Sequence, residues 1–352
     1  MTTERNRRVR IADVAEAAGV SKTAVSFAFN SPERLSDETA TRIRDIADQL
    51  GYRPDPVARM LSQGRTRTIG VLTPQPLAVV FSNPFFGALA EGIGLAAEES
   101  GFALYLISPL HGSLARAVGR ASVDGFVAIG LSAAHPEVEQ VRRAGLPIVL
   151  VDSTAMPDYP SVSIDDEAGA AQAAEHLLGL GHRDFMAVAI DPPVPFELAE
   201  PDSVTGRRLA GYRRALADAG LSLPDDRVMT APATVAGGAV AFRRAWASGL
   251  RPTAVLAMSD AIAIGVMRAA SELGIDIPGS LSVVGFDDVD MAAYVNPPLT
   301  TVHQPVRRKG EEAVRLLLAV VEGRADAHEH RRLETHIVVR ASTGSAPAEQ
   351  GR

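Results

Sequence analysis

The sequence has no cysteine among its 352 residues, few aromatic residues (5%) and no apolar run long enough for a membrane-spanning helix. Without cysteine, a disulfide framework, a thiolate metal site and a cysteine nucleophile are excluded, and a reducing compartment is favoured. The N-terminus is charged and lacks the apolar segment of a signal peptide. We therefore expect a cytoplasmic protein that makes no contact with a membrane.

Motifs for catalysis and cofactor binding are also missing. The sequence contains neither a phosphate-binding loop of the GxxxxGK[ST] type nor a GxSxG nucleophile motif. Gly92 and Gly94 fit a loose dinucleotide fingerprint, but they fall inside a predicted helix, so we interpret them as helix-packing positions. His328, His330 and His336 lack the spacing of zinc ligands. We predict no catalytic residue, no metal site and no cofactor, and we expect that the protein is not an enzyme.

Charge is distributed unevenly along the chain. Residues 1–68 hold 12 Lys and Arg against 9 Asp and Glu, a net charge of +3, whereas the remainder carries −10 of the total of −7. Arg5, Arg7 and Arg8 belong to the basic residues at the start. A basic segment attached to an acidic body is typical of a chain that presents one end to a polyanion. On charge alone, an ordinary solvated arm fits equally well.

Apolar residues at helical spacing predict three short helices in the first fifty residues. Gly19 ends the first, Ser21 caps the second (Lys22–Phe29), and Ser36 caps the third. The apolar stripes are Ile11, Val14, Ala15 and Ala18; Val25, Ala28 and Phe29; and Ala40, Ile43, Ala47 and Leu50. Two short helices joined by a glycine-containing turn describe a helix-turn-helix, and the polar outer face of the second favours this over a three-helix bundle without a partner.

From Thr68 onward, short β-rich runs alternate with amphipathic helices, which indicates parallel sheets with crossover helices. The alternation restarts after Ser161 and so predicts two doubly wound subdomains, which bind ligands at the carboxyl ends of their strands. The predicted helices include residues 84–100, 167–180 and 207–220. The polar segment from Ser342 (STGSAPAEQGR) has the composition of a disordered tail.

Specific motifs relate the sequence to a known family. The segment VRIADVAEAAGVSKTAVSFAFNSPERLSDETATRIRDIADQLGYRPDPVARMLSQGRTRTIGVL resembles the DNA-binding head of the LacI/GalR family of bacterial repressors. The body resembles the family's periplasmic-binding-protein-like effector domain. Its landmarks are Asn83-Pro84-Phe85-Phe86, Gly181-His182-Arg183, Arg208-Leu209-Ala210-Gly211-Tyr212, Ser259-Asp260, Val284-Gly285-Phe286-Asp287-Asp288 and Pro298-Leu299-Thr300-Thr301-Val302-His303-Gln304-Pro305. The resemblance implies an all-α helix-turn-helix head followed by an α/β body of two doubly wound parallel-sheet subdomains.

The resemblance also implies the domain boundaries. Residues 1–54 form the DNA-binding domain, 55–67 the hinge helix and linker, 68–343 the effector-binding domain and 344–352 a disordered tail. Within the effector domain, residues 68–160 and 292–322 belong to the N-terminal subdomain. Residues 161–291 and 323–343 belong to the C-terminal one, so the chain crosses between subdomains three times.

For the head, the resemblance assigns base contacts in the major groove to Lys22, Thr23 and Phe27. Relatives usually carry arginine at the last position, and Phe27 cannot donate a hydrogen bond, although it can pack on a thymine methyl group. Contacts to the DNA backbone are assigned to Ser21, Ser26, Asn30, Arg5, Arg7 and Arg8. The hinge residues Val57, Ala58 and Leu61 would enter the minor groove, where Leu61 acts as a wedge. The alternative for Leu61 is an ordinary linker leucine.

For the body, the resemblance assigns a small polar effector, such as a sugar or a nucleoside-like molecule, to the cleft between the subdomains. The candidate contacts are Phe85, Phe86, Asp165, Arg208, Asp260 and Asp287. Asp pairs and an arginine fork suit hydroxyl groups and nucleobase edges. Each residue has a plainer alternative: Asp260 as a helix cap, Asp287 as a turn residue, and the two phenylalanines as core.

We therefore expect a ligand-responsive transcription regulator, most simply a repressor, that binds a pseudo-palindromic double-stranded DNA operator as a homodimer. The alternative is a solute-binding or sensor protein whose N-terminal head binds a protein partner. An enzyme with a fused head would have to show turnover, for which the sequence provides no motif.

Overall fold

The computed structural model describes residues 9–53, 64–73, 75–109, 113–131, 135–153, 156–191, 203–325 and 328–348. The chain divides into two compact units, Met1–Thr66 and Arg67–Arg352, which we call the head and the body. The described part of the head is all-α and the body is α/β, as the sequence predicts. In the described residues, no helix is both long enough and apolar enough to cross a membrane.

The head contains three helices around a small apolar core. They are α1 (Ile11–Ala18), α2 (Lys22–Asn30) and α3 (Asp37–Gln49), with a 3-10 turn at Pro32–Arg34. Gly19 has a φ of +64°, which lets the chain turn sharply between α1 and α2. Ser21 and Ser36 cap their helices as predicted. Leu50 was expected in the core but is 40% exposed, because α3 ends at Gln49 and the chain turns there.

The body alternates strands and helices. Its strands are β1 (Thr68–Leu72), β2 (Ala103–Ile107), β3 (Gly125–Ile129), β4 (Ile148–Val151), β5 (Ser161–Ile164), β6 (Phe185–Ile190), β7 (Val228–Ala231), β8 (Ala254–Ala257), β9 (Ser282–Asp287), β10 (Thr300–His303), β11 (His330–Leu333) and β12 (His336–Val338). Its helices are α4 (Leu77–Ser82), α5 (Pro84–Glu99), α6 (Leu114–Val118), α7 (Pro136–Arg143), α8 (Asp166–Gly179), α9 (Val204–Asp218), α10 (Val235–Ala247), α11 (Asp260–Glu272), α12 (Met291–Tyr294) and α13 (Val306–Val321), with a 3-10 turn at Asp225–Arg227.

The strands form two six-stranded sheets. The first sheet has the order β11-β5-β4-β3-β1-β2 and is parallel throughout. The second has the order β12-β10-β9-β8-β6-β7 and is parallel except for β12, which runs antiparallel to β10. Strand order reverses beside β1 in the first sheet and beside β6 in the second. Such reversals open a crevice at the carboxyl ends of the strands.

Helices cover both faces of each sheet. Helices α5 and α13 pack against each other on the first sheet, and α8 packs with α9 on the second. The apolar side chains beneath these four helices form one continuous core that includes residues of both sheets. Helices α10 and α11 close the other face of the second sheet around Phe242 and Ile262.

Strand pairing corrects the predicted subdomain boundaries. Residues 161–164 (β5) pair with β4 in the first sheet, and not in the subdomain expected to begin at 161. Residues 300–303 (β10) pair with β9 in the second sheet, and residues 330–333 (β11) pair with β5 in the first. The chain therefore crosses between the sheets near 165, 304 and 335. Alternation along a sequence gives the order of strands but not their partners, which accounts for these errors.

The predicted disorder from Ser342 onward is also wrong for the part that the structure describes. The Ser342 hydroxyl donates to the carbonyl of Val283 at 2.6 Å, and the Gly344 N–H donates to Ser282 Oγ at 3.0 Å. Ala346 N–H donates to the carbonyl of Leu180 at 2.8 Å. Composition predicts disorder from the lack of apolar side chains, whereas this segment is held by hydrogen bonds to the first residues of β9 and to the end of α8.

Candidate functional site

The second helix of the head presents a polar face. Ser21 Oγ accepts a hydrogen bond from the Ala24 N–H at 3.1 Å, which fixes the start of α2. Lys22 and Thr23 follow this cap and are exposed, while Val25 and Ala28 on the opposite side are buried in the head core. The helix therefore has one side committed to packing and one side available to a partner.

Ser26 and Asn30 lie one turn apart on α2 and contact each other. The Asn30 amide donates to Ser26 Oγ at 3.3 Å, while its Oδ1 is buried and has no hydrogen-bond partner in the described structure. Arg44 of α3 donates to the carbonyl of Ala28 at 3.1 Å, which ties α3 to the end of α2. The end of the polar face is thus held in place by α3.

Phe27, on the same helix, is half-buried, and the guanidinium carbon of Arg34 lies 5.1 Å from its ring centroid. Arg34 is exposed and belongs to the 3-10 turn after α2. No sequence pattern singles out Arg34, because its contact with Phe27 depends on how the turn folds back. The predicted contacts at Arg5, Arg7, Arg8, Val57, Ala58 and Leu61 lie outside the described residues.

Buried charged groups in the body centre on Arg208, in α9. Arg208 Nε donates to Asp166 Oδ1 at 2.9 Å, and Nη1 donates to the carbonyl of Met258. Nη1 also lies 3.8 Å from Asp287 Oδ1, and the guanidinium lies 3.6 Å from the ring centroid of Phe286. The structure thus brings together two residues that the sequence assigned to the effector, Arg208 and Asp287.

Arg207 joins this centre to the first sheet. Its Nη2 donates to Asp166 Oδ2 at 2.7 Å and to the main-chain carbonyl of Asp152 at 3.0 Å. Asp166 begins α8, next to the first crossing between the sheets, and Asp152 directly follows β4 of the first sheet. Arg207 belongs to α9, which follows β6 of the second sheet, and it contacts residues that follow β4 and β5 of the first sheet.

Lys309 completes the connection from the other side. Its side chain is fully buried, and Nζ donates to Asp152 Oδ1 and to Gln304 Oε1, each at 2.5 Å. Gln304 lies at the second crossing, and its amide donates to Asp287 Oδ1 at 2.6 Å. The Lys309 ammonium also lies 5.5 Å from the ring centroid of Phe85.

Together these contacts form a closed series, in which the last residue contacts the first. We call the set the charged ring; in order of contact, its members are Asp152, Lys309, Gln304, Asp287, Arg208, Asp166 and Arg207. The members are buried or mostly buried and are paired with one another, and fixed donors and acceptors of this kind are the groups that polar ligands contact in clefts.

The other predicted effector residues lie at different distances from the ring. Phe85 touches it through Lys309, and Phe86 packs edge-to-face on Phe85 with centroids 5.5 Å apart. Asp165 caps α8 by accepting from the Ala168 N–H at 3.0 Å and pairs with Arg332 at 3.1 Å. The side chain of Asp165 is 43% exposed, so its contacts are those of a helix cap at the surface.

Asp260 is fully buried, and its hydrogen-bond partners lie outside the charged ring. Its Oδ2 accepts from the Val289 N–H at 2.8 Å and its Oδ1 from the Thr301 hydroxyl at 2.5 Å. The helix cap that the sequence offered as an alternative role belongs to Ser259, whose Oγ accepts from the Ile262 N–H. Asp260 instead joins the loop after β9 to strand β10.

Comparison with protein families identifies both units. Residues 10–55 match the model described as bacterial regulatory proteins, lacI family, and residues 174–343 match the periplasmic binding protein-like domain. The HTH-type transcriptional regulator MalR of Streptomyces coelicolor is 35% identical, over 97% of this chain and 99% of its own. The chain belongs to the LacI family. The predicted resemblance is therefore confirmed, and so is the fold class.

Other relatives of this LacI-family regulator agree. The HTH-type transcriptional repressor PurR of Vibrio campbellii is 32% identical, over 94% of this chain and 97% of its own. Among solved structures, a lac repressor dimer bound to operator and an anti-inducer matches with a TM-score of 0.82 at 26% identity, covering 96% of this chain and all of that one. A CelR–cellobiose complex matches with a TM-score of 0.70 at 29% identity, covering 95% of this chain and all of that one. The chain is a DNA-binding transcription regulator of this family.

In this LacI-family regulator, burial and ion pairing shift the acids of the body in opposite directions. Burial opposes ionisation of Asp166, but the nearby charges of Arg208 and Arg207 outweigh it and lower the pKa of that carboxyl. Burial raises the pKa of Asp260 well above its usual range, and the charge of Asp287 raises it further. Burial also raises the pKa of Asp287 to about 6, although Arg208 and Gln304 oppose the shift. Of these three acids, Asp166 is therefore the one whose ionised form the arginines favour most.

Of the four non-glycine residues with a positive φ in the described part of the chain, three belong to or adjoin the charged ring, and the fourth is Arg67. Asp152, Asp287 and Asp288 all have positive φ values, of +61°, +122° and +57°, which non-glycine residues rarely adopt. Asp152 and Asp287 belong to the charged ring. The Asp288 carboxylate contacts Arg340 at 2.6 Å and His303 at 2.9 Å. Strain of this kind persists where surrounding contacts over-determine the backbone, and it is frequent at ligand sites.

Sequence reasoning missed five members of the ring: Asp152, Asp166, Arg207, Gln304 and Lys309. One signal was present, because Asp166 and Arg207 directly adjoin the selected Asp165 and Arg208. Lys309 gave none, since the run Arg307-Arg308-Lys309 reads as a solvated helix face. Its burial follows from the packing of α13 on the first sheet.

Proposed function

We propose that this LacI-family regulator is a repressor that binds a pseudo-palindromic operator as a homodimer and responds to a small polar metabolite. The observation that carries the DNA-binding part is the face of α2, where Lys22 and Thr23 are exposed directly after the Ser21 cap. A helix N-terminus with such residues is the part of a helix-turn-helix that meets base edges. The related structure of a lac repressor dimer bound to operator supports the homodimer and its double-stranded DNA partner.

The charged ring supports the effector part of the proposal. Two of the related structures hold sugars, one cellobiose and the other ribose, and both ligands are rich in hydroxyl groups. In this chain the ring offers arginine donors and carboxylate acceptors at the crossings between the sheets, with Phe85 as an apolar wall. A ligand that enters must exchange hydrogen bonds with these groups and so binds the arrangements of the two sheets unequally. Unequal binding is the requirement for a ligand to shift a conformational equilibrium.

Selection of bound sites from random duplex DNA by the purified full-length protein tests the proposal. The selection is run with and without a mixed metabolite extract. Recovery of a two-fold symmetric site supports the operator reading, and its loss or gain with the extract gives the sign of the response. Recovery of no site in either condition contradicts the proposal and favours a sensor whose head binds a protein partner.

Charge reversal at Arg5, Arg7 and Arg8 separates these two functions further. Under the DNA-binding proposal, the triple Glu variant binds all duplexes more weakly and shows a shallower dependence on salt. A head that serves a protein partner predicts no such change in salt dependence. The control replaces the same three arginines by lysine, which conserves the positive charge of the segment.

A further inference from the structure

We infer that Arg34, held over the ring of Phe27, reads a guanine base in the operator, so that the two residues act as one base-reading unit. This inference rests on the proposed DNA-binding function. It starts from the contact between the two side chains, in which the guanidinium carbon lies 5.1 Å from the ring centroid. That distance is within the range of cation–π contacts.

Phe27 alone lacks the chemistry for reading a polar base edge. It lies on the polar side of α2, on the turn that follows Lys22 and Thr23, and it is half-buried. Its ring has no hydrogen-bond donor, so in the groove it has only apolar contacts to offer. The face of the ring is instead used to support Arg34, which has five N–H donors.

The backbone of Arg34 is fixed close to the recognition helix. Its N–H donates to the carbonyl of Ser31 at 3.0 Å, and the next residue, Leu35, donates to the carbonyl of Pro32 at 3.0 Å. Leu35 packs against the head core. Arg34 therefore starts from an anchored turn, and its exposed side chain runs back to Phe27 on the DNA-facing side of the helix.

A cation–π contact leaves the hydrogen-bonding edge of arginine available. The guanidinium keeps its N–H groups in its own plane, where they can still reach a further partner. Two of these groups match the O6 and N7 acceptors of guanine in the major groove. The ring also reduces the side-chain freedom that is lost on binding, since it holds the guanidinium before DNA arrives. Lysine has no planar fork and cannot replace this contact.

A phosphate contact by Arg34 is the competing possibility, and it makes a different prediction. A phosphate contact strengthens binding to every duplex about equally and contributes about one unit to the salt slope. A base contact strengthens binding to the selected site and determines one position in it. The experiment therefore compares selected and random DNA.

The experiment uses the full-length protein and its Arg34→Met, Arg34→Lys and Phe27→Leu variants. Each undergoes site selection, followed by affinity measurements on the wild-type site and on random duplex at several salt concentrations. Arg42→Met is the matched control, because Arg42 is exposed on α3 and its loss removes the same charge from the head. Circular dichroism verifies that each variant retains the helical content of the wild type.

We expect Arg34→Met to bind the selected site about 10- to 100-fold more weakly, which corresponds to one lost bidentate base contact, while binding to random duplex falls less than about threefold. Guanine preference disappears at one symmetry-related pair of positions. Arg34→Lys loses the same preference despite its charge. Phe27→Leu weakens the preference at the same positions, and Arg42→Met leaves it intact.

Three results overturn the inference. Equal losses by Arg34→Met on selected and random DNA assign Arg34 to a phosphate. An unchanged guanine preference in Arg34→Met shows that Arg34 makes no base contact. An unchanged preference in Phe27→Leu shows that the aromatic ring does not support the arginine. If the wild type selects no symmetric site, the proposed DNA-binding function fails and this inference fails with it. If the wild type selects a site but the variants give any of the three results above, only this inference fails.

Discussion

Head and body place their arginines in different surroundings. In the head, Arg34 is exposed and lies over the ring of Phe27, and Arg42 is exposed on α3. In the body, Arg208 is 4% exposed and contacts Asp166, Asp287 and a main-chain carbonyl. The same side chain is thus available to an outside partner in one unit and committed to internal partners in the other.

This difference indicates which charged groups of each unit are free to contact a binding partner. In the head, Arg34 and Arg42 are exposed to water, where they can contact a polyanion and have little effect on the unfolding free energy. In the body, most ions of the charged ring are buried away from water, so each of them needs a partner. A ligand that enters the body has to exchange partners within the charged ring, whereas DNA can approach the head without breaking internal ion pairs.

The largest effect that tests this comparison is expected at Asp166. Asp166→Asn leaves the buried Arg208 and its neighbour Arg207 without their carboxylate, and removing one partner of a buried pair costs about 3–5 kcal/mol of unfolding free energy. Urea unfolding followed by the fluorescence of Trp246, the single tryptophan, reports on the body. Glu167→Gln is the control, because its pair with Arg214 is exposed on both sides and is worth about 0–1 kcal/mol. Equal losses would contradict the importance of burial.

A second prediction concerns the packing that positions Lys309. A Cβ at Gly92 of α5 would lie 1.9 Å from the carbonyl oxygen of Arg307, whereas a Cβ at Gly94 meets nothing within 4 Å. Gly92→Ala therefore forces α5 away from α13 and is expected to cost about 3 kcal/mol. Gly94→Ala is expected to stabilise the body by about 0.5–1 kcal/mol through helix propensity. The same urea titration measures both, and a loss in both variants would refute this account of the close contact.

The third prediction is a pH dependence of the body. The pKa of Asp287 is raised to about 6 in the folded protein, above the value of about 4 for an unfolded aspartate. The stability that the protonated Asp287 contributes is therefore complete below pH 4 and is lost as the pH rises through 6, roughly 3 kcal/mol in total. Asp287→Asn, which cannot ionise, flattens this part of the profile of unfolding free energy against pH. The predicted sign would be wrong if the unfolding free energy of the wild type rises between pH 4 and 6 and this rise is absent from Asp287→Asn.

The smallest effect is expected in the head. Arg34→Met changes the unfolding free energy by less than about 0.5 kcal/mol, because the side chain is exposed and its contact with Phe27 is in water. Arg42→Met is expected to behave alike. Thermal unfolding followed by circular dichroism measures both variants. A loss from Arg34→Met as large as that from Asp166→Asn would mean that the head, like the body, depends on its arginines for stability.

Much of the fold was predictable from local patterns. The helices of the head follow from apolar spacing and from the caps at Ser21 and Ser36, which act within three residues of themselves. The alternation of strands and helices gave the α/β class of the body, because each element carries its own periodicity. The strand partners were not predictable: β5, β10 and β11 lie in the sheets opposite to those expected.

The candidate site was predictable only in part. Arg208 and Asp287 were selected from motifs and lie together in the charged ring. Lys309 and Asp166 were not, because their partners are distant along the chain. Lys309 pairs with Asp152 across 157 residues, and Asp166 pairs with Arg208 across 42. No local pattern marks a lysine as buried when the carboxylate that allows its burial is so remote.

The family, the helix-turn-helix and the order of strands and helices follow from the amino-acid sequence, since they depend on residues near one another or on motifs that stay together. Which charges are buried and which remain exposed depends on the tertiary structure. Burial of an ion requires a partner at hydrogen-bond distance, and that partner is supplied by the crossings of the chain between the two sheets. The contact between Arg34 and Phe27 is of the same kind on a smaller scale, because a turn of three residues brings the two side chains together.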